Sequence, residues 1–316
     1  MPARRRPGQG SKAYSPRVRA KRIYPRMRTW TESKEAKPLG FAGWKAGMSH
    51  VIMVNGNPNS TSKGQQISRA ITILECPPIS VFGFRCYTGN TTSFDVFSDV
   101  TNKNLSRAMR ISKTPKKIDE QIARMPKSIS RINLMCHTNP VFKKTPEIFE
   151  IAIGGTIDDQ TKYAKEMIGK EIKVSDVFKE GDLIDVFAVT KGRGFLGPVK
   201  RWNVKTLGRK FQMMARHVGS LGNTEPGKVR STVPQSGQTG FQTRFDLNKR
   251  ILKIQNGFSV KGGLINYGDV KSDAVLVEGC MPGSKKRLIR FRPAIRPKKV
   301  HPIDIKTIST ESKQGI

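Results

Sequence analysis

Residues 177–202 read VFKEGDLIDVFAVTKGRGFLGPVKRW and join a β-strand pattern to a glycine-rich basic segment. The alternation of Leu183, Asp185, Phe187 and Val189 predicts a strand with two unlike faces. The next four residues, KGRG at 191–194, lack the GxxxxGK[ST] pattern and the following helix that a nucleotide phosphate loop requires. They predict instead a turn that brings cations close to a phosphate backbone.

Short strand patterns recur on both sides of this stretch. HVIMV at 50–54, two runs within residues 67–88 and SFDVFSDV at 93–100 precede it, and EIFEIAIGG at 147–155 continues the pattern. Helical patterns occur only at Leu105–Met125 and Asp158–Met167. Many short strands with glycine-rich turns favour a closed or nearly closed barrel.

The charge of the chain is strongly one-sided. It has 58 Lys and Arg against 24 Asp and Glu, a formal net charge of +34, which indicates a polyanionic partner. A highly charged but solvated surface is the alternative, although such a surface usually mixes both signs. Hydrophobic residues make up 36% of the chain, enough for a core, and no apolar run approaches the length of a membrane span.

Residues Met1–Thr31 predict a basic arm. They contain ten basic residues and no acid, and Gly and Pro interrupt them without an apolar period. Such a segment is expected to order only on a polyanion, and a nuclear-localisation or heparin-type patch is the competing interpretation. The ten candidate RNA-binding residues are Arg4, Arg5, Arg6, Lys12, Arg17, Arg19, Lys21, Arg22, Arg26 and Arg28.

A second basic segment lies in the middle of the chain. Between Lys191 and Lys253 there are fourteen Lys and Arg against two acids, Glu225 and Asp246. From Pro198 to Phe241 no strand alternation or long amphipathic helix is evident, and a loop this long is rare unless it is functional or disordered. Cations mixed with scattered aromatic residues suit an arm threaded into RNA.

The third basic segment is GSKKRLIRFRPAIRPKK at 283–299, with eight cations between Lys285 and Lys299 and no acid. It follows DAVLVEGCMPG at 273–283, which predicts a strand and a turn. A strand edge that presents cations is therefore expected here, with a solvated tail as the alternative.

Catalytic and metal-binding patterns are absent from the sequence. The four histidines and four cysteines show neither metal-ligand spacing nor a CxxC pair, and there is no GxSxG motif. The cysteines are expected to be free thiols in or near a core, as in a cytosolic protein. A free nucleic-acid chaperone or chromatin-type binder, and an enzyme acting on RNA, remain as competing classes.

Five motifs resemble the ribosomal protein L-three family, the universal third protein of the large ribosomal subunit. They are GFAGWKAGMSHV (40–51), the stretch 177–202, GSLGNTEPGKV (219–229), SGQTGFQTRFDLNKRI (236–251) and GDVKSDAVLVEGCMPGSKKRLIRFR (268–292). The likeness runs over about residues 1–300. The chain length and the start MPARRRPGQGSKAYSPRVRAKR are similar to the archaeal form.

The resemblance implies a mainly β fold with an α/β insertion. The family has a split six-stranded translation-protein-type β-barrel with long basic N-terminal and central loop extensions. On this pattern the expected domains are a basic arm at 1–38, a barrel at 39–62 and 157–300 with the central loop at 198–241, an inserted α/β segment at 63–156, and a tail at 301–316.

The resemblance also implies a function without catalysis. Members are structural constituents of the cytoplasmic large ribosomal subunit that bind 23S-type ribosomal RNA near its 3′ end and aid early assembly. Their arms extend towards the peptidyl transferase centre. The implied partners are this RNA and neighbouring large-subunit proteins, with no cofactor, metal, membrane or small-molecule substrate.

Family motifs carry further candidate residues onto this chain. Eukaryotic members have a tryptophan near the loop tip and a modified histidine, where this chain has Thr224 and Gln212, and bacterial members modify a glutamine that is missing at 223–225. Those tip features therefore do not transfer. The remaining RNA-binding candidates are Lys191, Arg193, Lys200, Arg201, Trp202, Lys205, Arg209, Lys210, Gln212, Arg216, His217, Lys228, Arg230, Gln238, Arg244, Lys285, Lys286 and Arg287.

Overall fold

A computed structural model describes residues 12–99, 102–112, 117–126, 128–225 and 227–312. The strands in these residues are β1 (Phe41–Asn55), β2 (Gln66–Glu75), β3 (Ile79–Thr88), β4 (Thr91–Phe97), β5 (Arg131–Thr138), β6 (Ile148–Ala152), β7 (Glu171–Ile172), β8 (Leu183–Val189), β9 (Gly194–Leu196), β10 (Gly237–Thr239), β11 (Thr243–Phe258), β12 (Val270–Glu278), β13 (Leu288–Pro293) and β14 (Ile303–Ile308). The helices are α1 (Ile118–Ala123), α2 (Ile157–Met167) and α3 (Pro198–Trp202). Short 3-10 turns cover Lys12–Tyr14, Lys103–Arg107, Val174–Asp176 and Arg209–Met214.

The chain divides into two compact units. The smaller unit holds the N-terminal segment up to Ile23 together with Val189–Arg244, and the larger unit holds Tyr24–Ala188 and Phe245–Ile316. Arg4, Arg5 and Arg6 lie outside the described residues, and only the backbone of Lys12 and Gln212 is described.

Six strands of the larger unit close into a barrel. Hydrogen-bonded neighbours follow the order β13-β8-β11-β12-β2-β1, and β1 pairs again with β13. β1 serves two neighbours because it is long: its residues 41–44 pair with β13, whereas residues 44–54 pair with β2. The seventh strand, β14, pairs with the far end of β1. This mainly β architecture confirms the fold class expected from the sequence.

The glycines of the GFAGWKAG motif allow close approach between barrel strands. A Cβ atom on Gly43 would lie 2.6 Å from the sulfur of Cys76 and 3.1 Å from the carbonyl oxygen of Glu75. The register between β1 and β2 shifts between Lys45 and Gly47, which marks a bulge. Both effects let one long strand bend round the barrel.

A second sheet packs against the barrel. Its strand order is β4-β3-β5-β6, β7 pairs with β3, and α2 packs on β5. One hydrophobic core contains Phe41 and Phe291 from the barrel together with Phe84 and Leu134 from the second sheet. The barrel and the sheet therefore fold as one body within the larger unit.

The second sheet begins and ends later in the chain than the inserted segment expected from the sequence. The predicted range 63–156 includes β2, which is a barrel strand, and stops short of α2 and β7, which belong with the second sheet. A strand pattern does not reveal which sheet a strand joins, because pairing depends on contacts distant in sequence. The second layer spans β3 to β7, residues 79–172.

One of the two predicted helices is confirmed and the other is wrong. Helix α2 matches Asp158–Met167, and the Thr156 hydroxyl accepts a hydrogen bond from the Asp159 backbone N–H at its start. The described part of Leu105–Met125 holds only a 3-10 turn and the short helix α1. Pro115 within that stretch lacks the N–H that a continuous helix needs.

Strand β8 forms as predicted, but its faces are not unlike. All its residues after Leu183 are buried, including Asp185. The carboxylate of Asp185 accepts hydrogen bonds from the backbone N–H groups of Asn248 and Ile295 and pairs with Arg292 at 3.5 Å. Asp185, the polar residue of the alternating pattern, therefore lies at a buried hydrogen-bonding site and does not indicate an exposed face.

The prediction that the N-terminal arm orders only on a polyanion is wrong for residues 24–31. Pro25 and Met27 are buried, and the Tyr24 hydroxyl donates to the Ile148 carbonyl at 2.5 Å. Tyr24 and Trp30 also pack against the main core. The charge count obscured these apolar residues, which tie this part of the arm to the larger unit.

The four cysteines are free thiols, as expected, but the expected core location is wrong for Cys280. Cys76, Cys86 and Cys136 are buried, and Cys280 is exposed. Burial raises the pKa of the Cys86 thiol to about 11, so it stays protonated at neutral pH. Within the described ranges, no helix is long and apolar enough to cross a membrane.

Candidate nucleic-acid interface

The base of the central loop is a small hairpin braced by a short helix. Strand β9 pairs antiparallel with β10, with Phe195 opposite Gln238. Helix α3 begins with Pro198 at its first turn, where a missing N–H costs nothing, and ends at Asn203 in the left-handed conformation with φ of 53°. These local signals place Lys200, Arg201 and Trp202 on one helical turn beside the hairpin.

Arg201 braces the hairpin through backbone carbonyls. Its Nε donates to the Gln238 carbonyl at 3.2 Å, and its Nη1 donates to those of Gln235 and Ser236 at 3.0 and 3.2 Å. A Cβ on Gly237 would lie 2.7 Å from Nη1, so a glycine at this position leaves room for the guanidinium. Burial, followed by the nearby charge of Arg17, lowers the pKa of Arg201.

Two guanidinium groups lie close to the Trp202 ring. Its ring is 7% exposed, and its Nε1 donates to the Gln235 carbonyl at 2.7 Å. The guanidinium carbon of Arg17 lies 4.7 Å from the ring centroid and that of Arg201 5.0 Å. Because the indole is occupied by the protein, we interpret Trp202 and Arg201 as residues that shape the interface.

The N-terminal segment packs along the central loop within the smaller unit. The Ala20 N–H donates to the Phe241 carbonyl at 2.8 Å, and the Arg244 guanidinium lies 4.9 Å from the ring centroid of Tyr14. Arg244 also donates to the side chain of Gln242 at 2.9 Å. The two arms predicted separately from the sequence therefore meet, and Arg17 and Arg244 each join them.

The central loop itself presents most of its cations to solvent. Apart from the 3-10 turn at 209–214, its described residues 203–236 contain no helix or strand. Val204, Val218 and Val233 are buried there, while the polar residues of the loop whose side chains are described are exposed. The exposed predicted residues of the smaller unit are Arg19, Lys21, Arg22, Lys191, Arg193, Lys200, Lys205, Arg209, Lys210, Arg216, His217, Lys228 and Arg230, and Gln238 is half-buried.

The electrostatics of this surface are simple. The sequence contains no Asp or Glu from Lys191 to Thr224, so no carboxylate of that stretch competes for its cations. Exposed lysine and arginine side chains in a stretch without carboxylates can contact phosphates and release the counterions condensed on the RNA. The surface can therefore bind a polyanion without a base-specific element.

In the larger unit, Arg26 and Arg28 are exposed and a basic turn at 284–287 presents Lys285 and Lys286. The buried ammonium of Lys45 donates to the Met281 carbonyl at 2.6 Å. The backbone of Lys45 also bonds to both Lys286 and Arg287. Burial lowers the pKa of Lys45. Because its hydrogen bonds shape the turn, Lys45 is a positioning residue, and the sequence did not reveal this role.

The expectation of a strand edge presenting cations at 285–299 is wrong for Arg290 and Arg292. Strand β13 lies between β1 and β8, and both arginines are buried. Arg290 donates to the carbonyls of Pro25 and Glu150 and lies 4.7 Å from the ring centroid of Phe149. Burial lowers its pKa to about 10. Cation count alone does not separate such anchors from surface residues.

Arg292 anchors the same segment at a second point. It donates to the carbonyl and hydroxyl oxygens of Thr29 and lies 4.7 Å from the ring centroid of Phe187. Together with Arg290 it fixes residues 25–29, which carry the exposed cations Arg26 and Arg28. Arg290 and Arg292 therefore contribute to the interface indirectly, by fixing the segment that carries Arg26 and Arg28.

No group of three or more His, Cys, Asp or Glu that could hold a metal ion occurs within the described residues. The sequence-based candidates omit one exposed aromatic residue. Phe195 is 75% exposed, and its position among glycines and cations was the available signal.

Comparison with known proteins gives consistent matches over the whole chain. A family model described as Ribosomal protein L3 matches residues 1–315. The large ribosomal subunit protein uL3 of Archaeoglobus fulgidus is 43% identical over 326 residues, covering 98% of both chains. That of Methanocaldococcus jannaschii is 43% identical with 98% of both covered, and that of Picrophilus torridus is 44% identical with 97% of both covered.

Proposed function

Because this chain belongs to the ribosomal protein L3 family, we propose that it binds large-subunit ribosomal RNA through the exposed cations of its smaller unit and the basic turn at 284–287. It is a structural constituent of the large ribosomal subunit, in the cytoplasm, and not an enzyme. Its relatives carry that name in several archaea.

The observation that carries the proposal is the separation of two kinds of cation. Arg201, Arg290 and Arg292 donate hydrogen bonds to backbone carbonyls, whereas Lys205, Lys210 and their neighbours remain exposed. A folded scaffold that holds exposed cations along a long irregular loop suits a phosphate backbone. The affinity is then dominated by counterion release and depends steeply on salt.

The proposal has three finer parts. The RNA contact lies near the 3′ end of the 23S-type RNA, the protein joins the subunit early in assembly, and the central loop extends towards the peptidyl transferase centre. The family resemblance supports each part. The length of the irregular loop, residues 203–236, and its exposed cations support the last one.

Sedimentation tests the proposal at the level of the cell. In lysate of cells that make the chain, it should co-sediment with large subunits on a sucrose gradient and stay there after a moderate salt wash. A free nucleic-acid chaperone would remain at the top of the gradient, and that result would refute the ribosomal assignment.

Chemical footprinting tests the finer parts. Hydroxyl-radical cleavage of protein-free large-subunit RNA should show protection near the 3′ end when the chain is added. Protection confined to other regions would contradict the proposed location. A variant that lacks residues 205–232 should retain part of that footprint and lose the rest, which identifies the RNA that the loop contacts.

A further inference from the structure

We infer that the side chain of Phe195 is a stacking platform for one unpaired nucleobase of RNA. This inference rests on the proposed function and adds a contact to the base itself, where the cations supply contacts to phosphates. Phe195 is 75% exposed, the largest exposed fraction of any aromatic side chain among the described residues.

The hairpin geometry fixes the direction of the phenyl ring. Leu196 pairs with Gly237 and Phe195 with Gln238, so these two pairs point to opposite faces of the hairpin. The Arg201 guanidinium lies against Gly237 on the face of Leu196. Phe195 therefore stands on the other face, away from the arginine that braces the hairpin.

The backbone beneath the ring is held from both sides. β9 pairs with β10, the Arg193 N–H donates to the Thr239 carbonyl at 2.9 Å, and Arg201 binds the Gln238 carbonyl at 3.2 Å. A rigid aromatic ring on a fixed backbone loses little entropy when a flat ligand stacks on it. The hairpin thus holds the exposed ring in one place before any ligand binds.

The surroundings of the ring select the ligand. Gly194 begins β9 and Gly197 follows it, and a Cβ atom at either position would meet nothing within 4 Å, so the approach to the hairpin is open. Arg193 and Lys200 are exposed nearby in sequence, and no acid occurs between Lys191 and Thr224. An exposed aromatic ring among cations fits an unpaired base with its phosphates, whereas a base within a duplex already stacks on its neighbours.

The test uses the full chain and two RNA probes, protein-free large-subunit RNA from the source organism and a fully paired RNA duplex of about 20 base pairs. Removing one base–aromatic stack should lower affinity by about 5- to 150-fold. We expect Phe195→Ala and Phe195→Leu to lose affinity for the large-subunit RNA, and Phe195→Trp to retain it. On the duplex all variants should bind like wild type.

Val141→Ala is the matched control. Val141 is an exposed aliphatic residue of the larger unit, outside the proposed RNA-binding surface, so this change removes apolar surface without removing a ring and should leave binding unchanged. Since Phe195→Ala removes no charge, its salt dependence should equal that of wild type. Thermal melts of all variants should also match, because the ring is largely outside the core.

Two results would overturn the inference. One is wild-type affinity of Phe195→Ala or Phe195→Leu for the large-subunit RNA, and the other is a loss in Phe195→Trp as large as in Phe195→Ala. Failure of the proposed function gives a different result, because wild-type protein would then bind the large-subunit RNA without the expected salt dependence.

Discussion

Lys200 and Arg201 are adjacent cations for which the structure predicts opposite roles. Lys200 is exposed, whereas Arg201 donates to three carbonyl oxygens of residues 235–238 and lies against the Trp202 ring. We predict that Lys200→Ala weakens RNA binding without altering the hairpin. Arg201→Ala and Arg201→Lys should loosen the hairpin, because neither residue can reproduce the planar fork of donors.

The contacts of Arg201 determine how much the free energy of local opening of the hairpin should change when Arg201 is replaced. Two of its three hydrogen bonds share Nη1, and the side chain is only partly buried, so we count about two net bonds of about 1 kcal/mol each. The cation–π contact with Trp202 adds about 0.5–1 kcal/mol. The free energy of local opening should therefore fall by about 2.5–3 kcal/mol in either variant, an increase of about 70- to 160-fold in amide exchange.

Native-state hydrogen exchange of the Gly237–Thr239 amides measures this opening directly in the full chain. RNA titrations at several salt concentrations give the second quantity, the salt slope. Lys200→Ala should reduce the slope by about one unit at unchanged exchange. Arg201→Lys, which keeps the charge, should accelerate exchange and leave the slope close to that of wild type.

Wild-type exchange in Arg201→Lys would refute the bracing role, because charge alone would then suffice. The reasoning would also fail if Arg201→Ala changed only the salt slope, as Lys200→Ala does. In that case Arg201 would be a phosphate contact, and the hydrogen bonds to residues 235–238 would contribute nothing measurable.

Three further predictions concern the two units separately. Arg292→Ala leaves Asp185 buried without its charged partner and should lower the free energy of unfolding by about 3–5 kcal/mol in a denaturant titration. Lys298→Ala, which removes an exposed cation of the same segment, should change that free energy by less than about 0.5 kcal/mol. Burial raises the pKa of Glu150, but hydrogen bonds from Tyr87 and Asn133 and the Arg85 charge lower it further, so its net pKa lies below the usual value. Its contribution to stability is then present above about pH 4.3 and disappears as pH falls through the folded pKa. Glu150→Gln should therefore lower the melting temperature at pH 7 and reduce the difference in melting temperature between pH 7 and pH 3. An unchanged difference in melting temperature would contradict this. Deleting residues 205–232 removes few core side chains and should preserve the cooperative melt of the larger unit while impairing aminoacyl-tRNA accommodation, and loss of that melt would contradict the separation.

The local elements of the fold were largely predictable from sequence. The apolar strand runs and the helical period at 158–167 are local signals, and β2, β3, β4, β6, β8 and α2 occur where they indicate. The pairing of β2 with both β1 and β12 was not predictable, because a strand pattern carries no information about its neighbours. The insertion was therefore placed too early.

The site was predictable as a charge distribution and not as a geometry. The sequence located the basic segments, but it could not distinguish exposed Lys205 from buried Arg290, since both are cations among apolar residues. Burial of a cation depends on carbonyl groups that approach from distant parts of the chain, such as Pro25 for Arg290. The contact of Arg17 with Trp202 is likewise a tertiary feature between two segments that look independent.

The central claim is that exposed cations of the central loop bind the RNA backbone. The most direct measurement is the salt dependence of binding to protein-free large-subunit RNA, for wild type and a variant with Lys205, Arg209, Lys210, Lys228 and Arg230 replaced by Gln. If all five contact phosphates, the slope of log affinity against log salt should fall by about four to five units. An unchanged slope in a folded variant would contradict the claim.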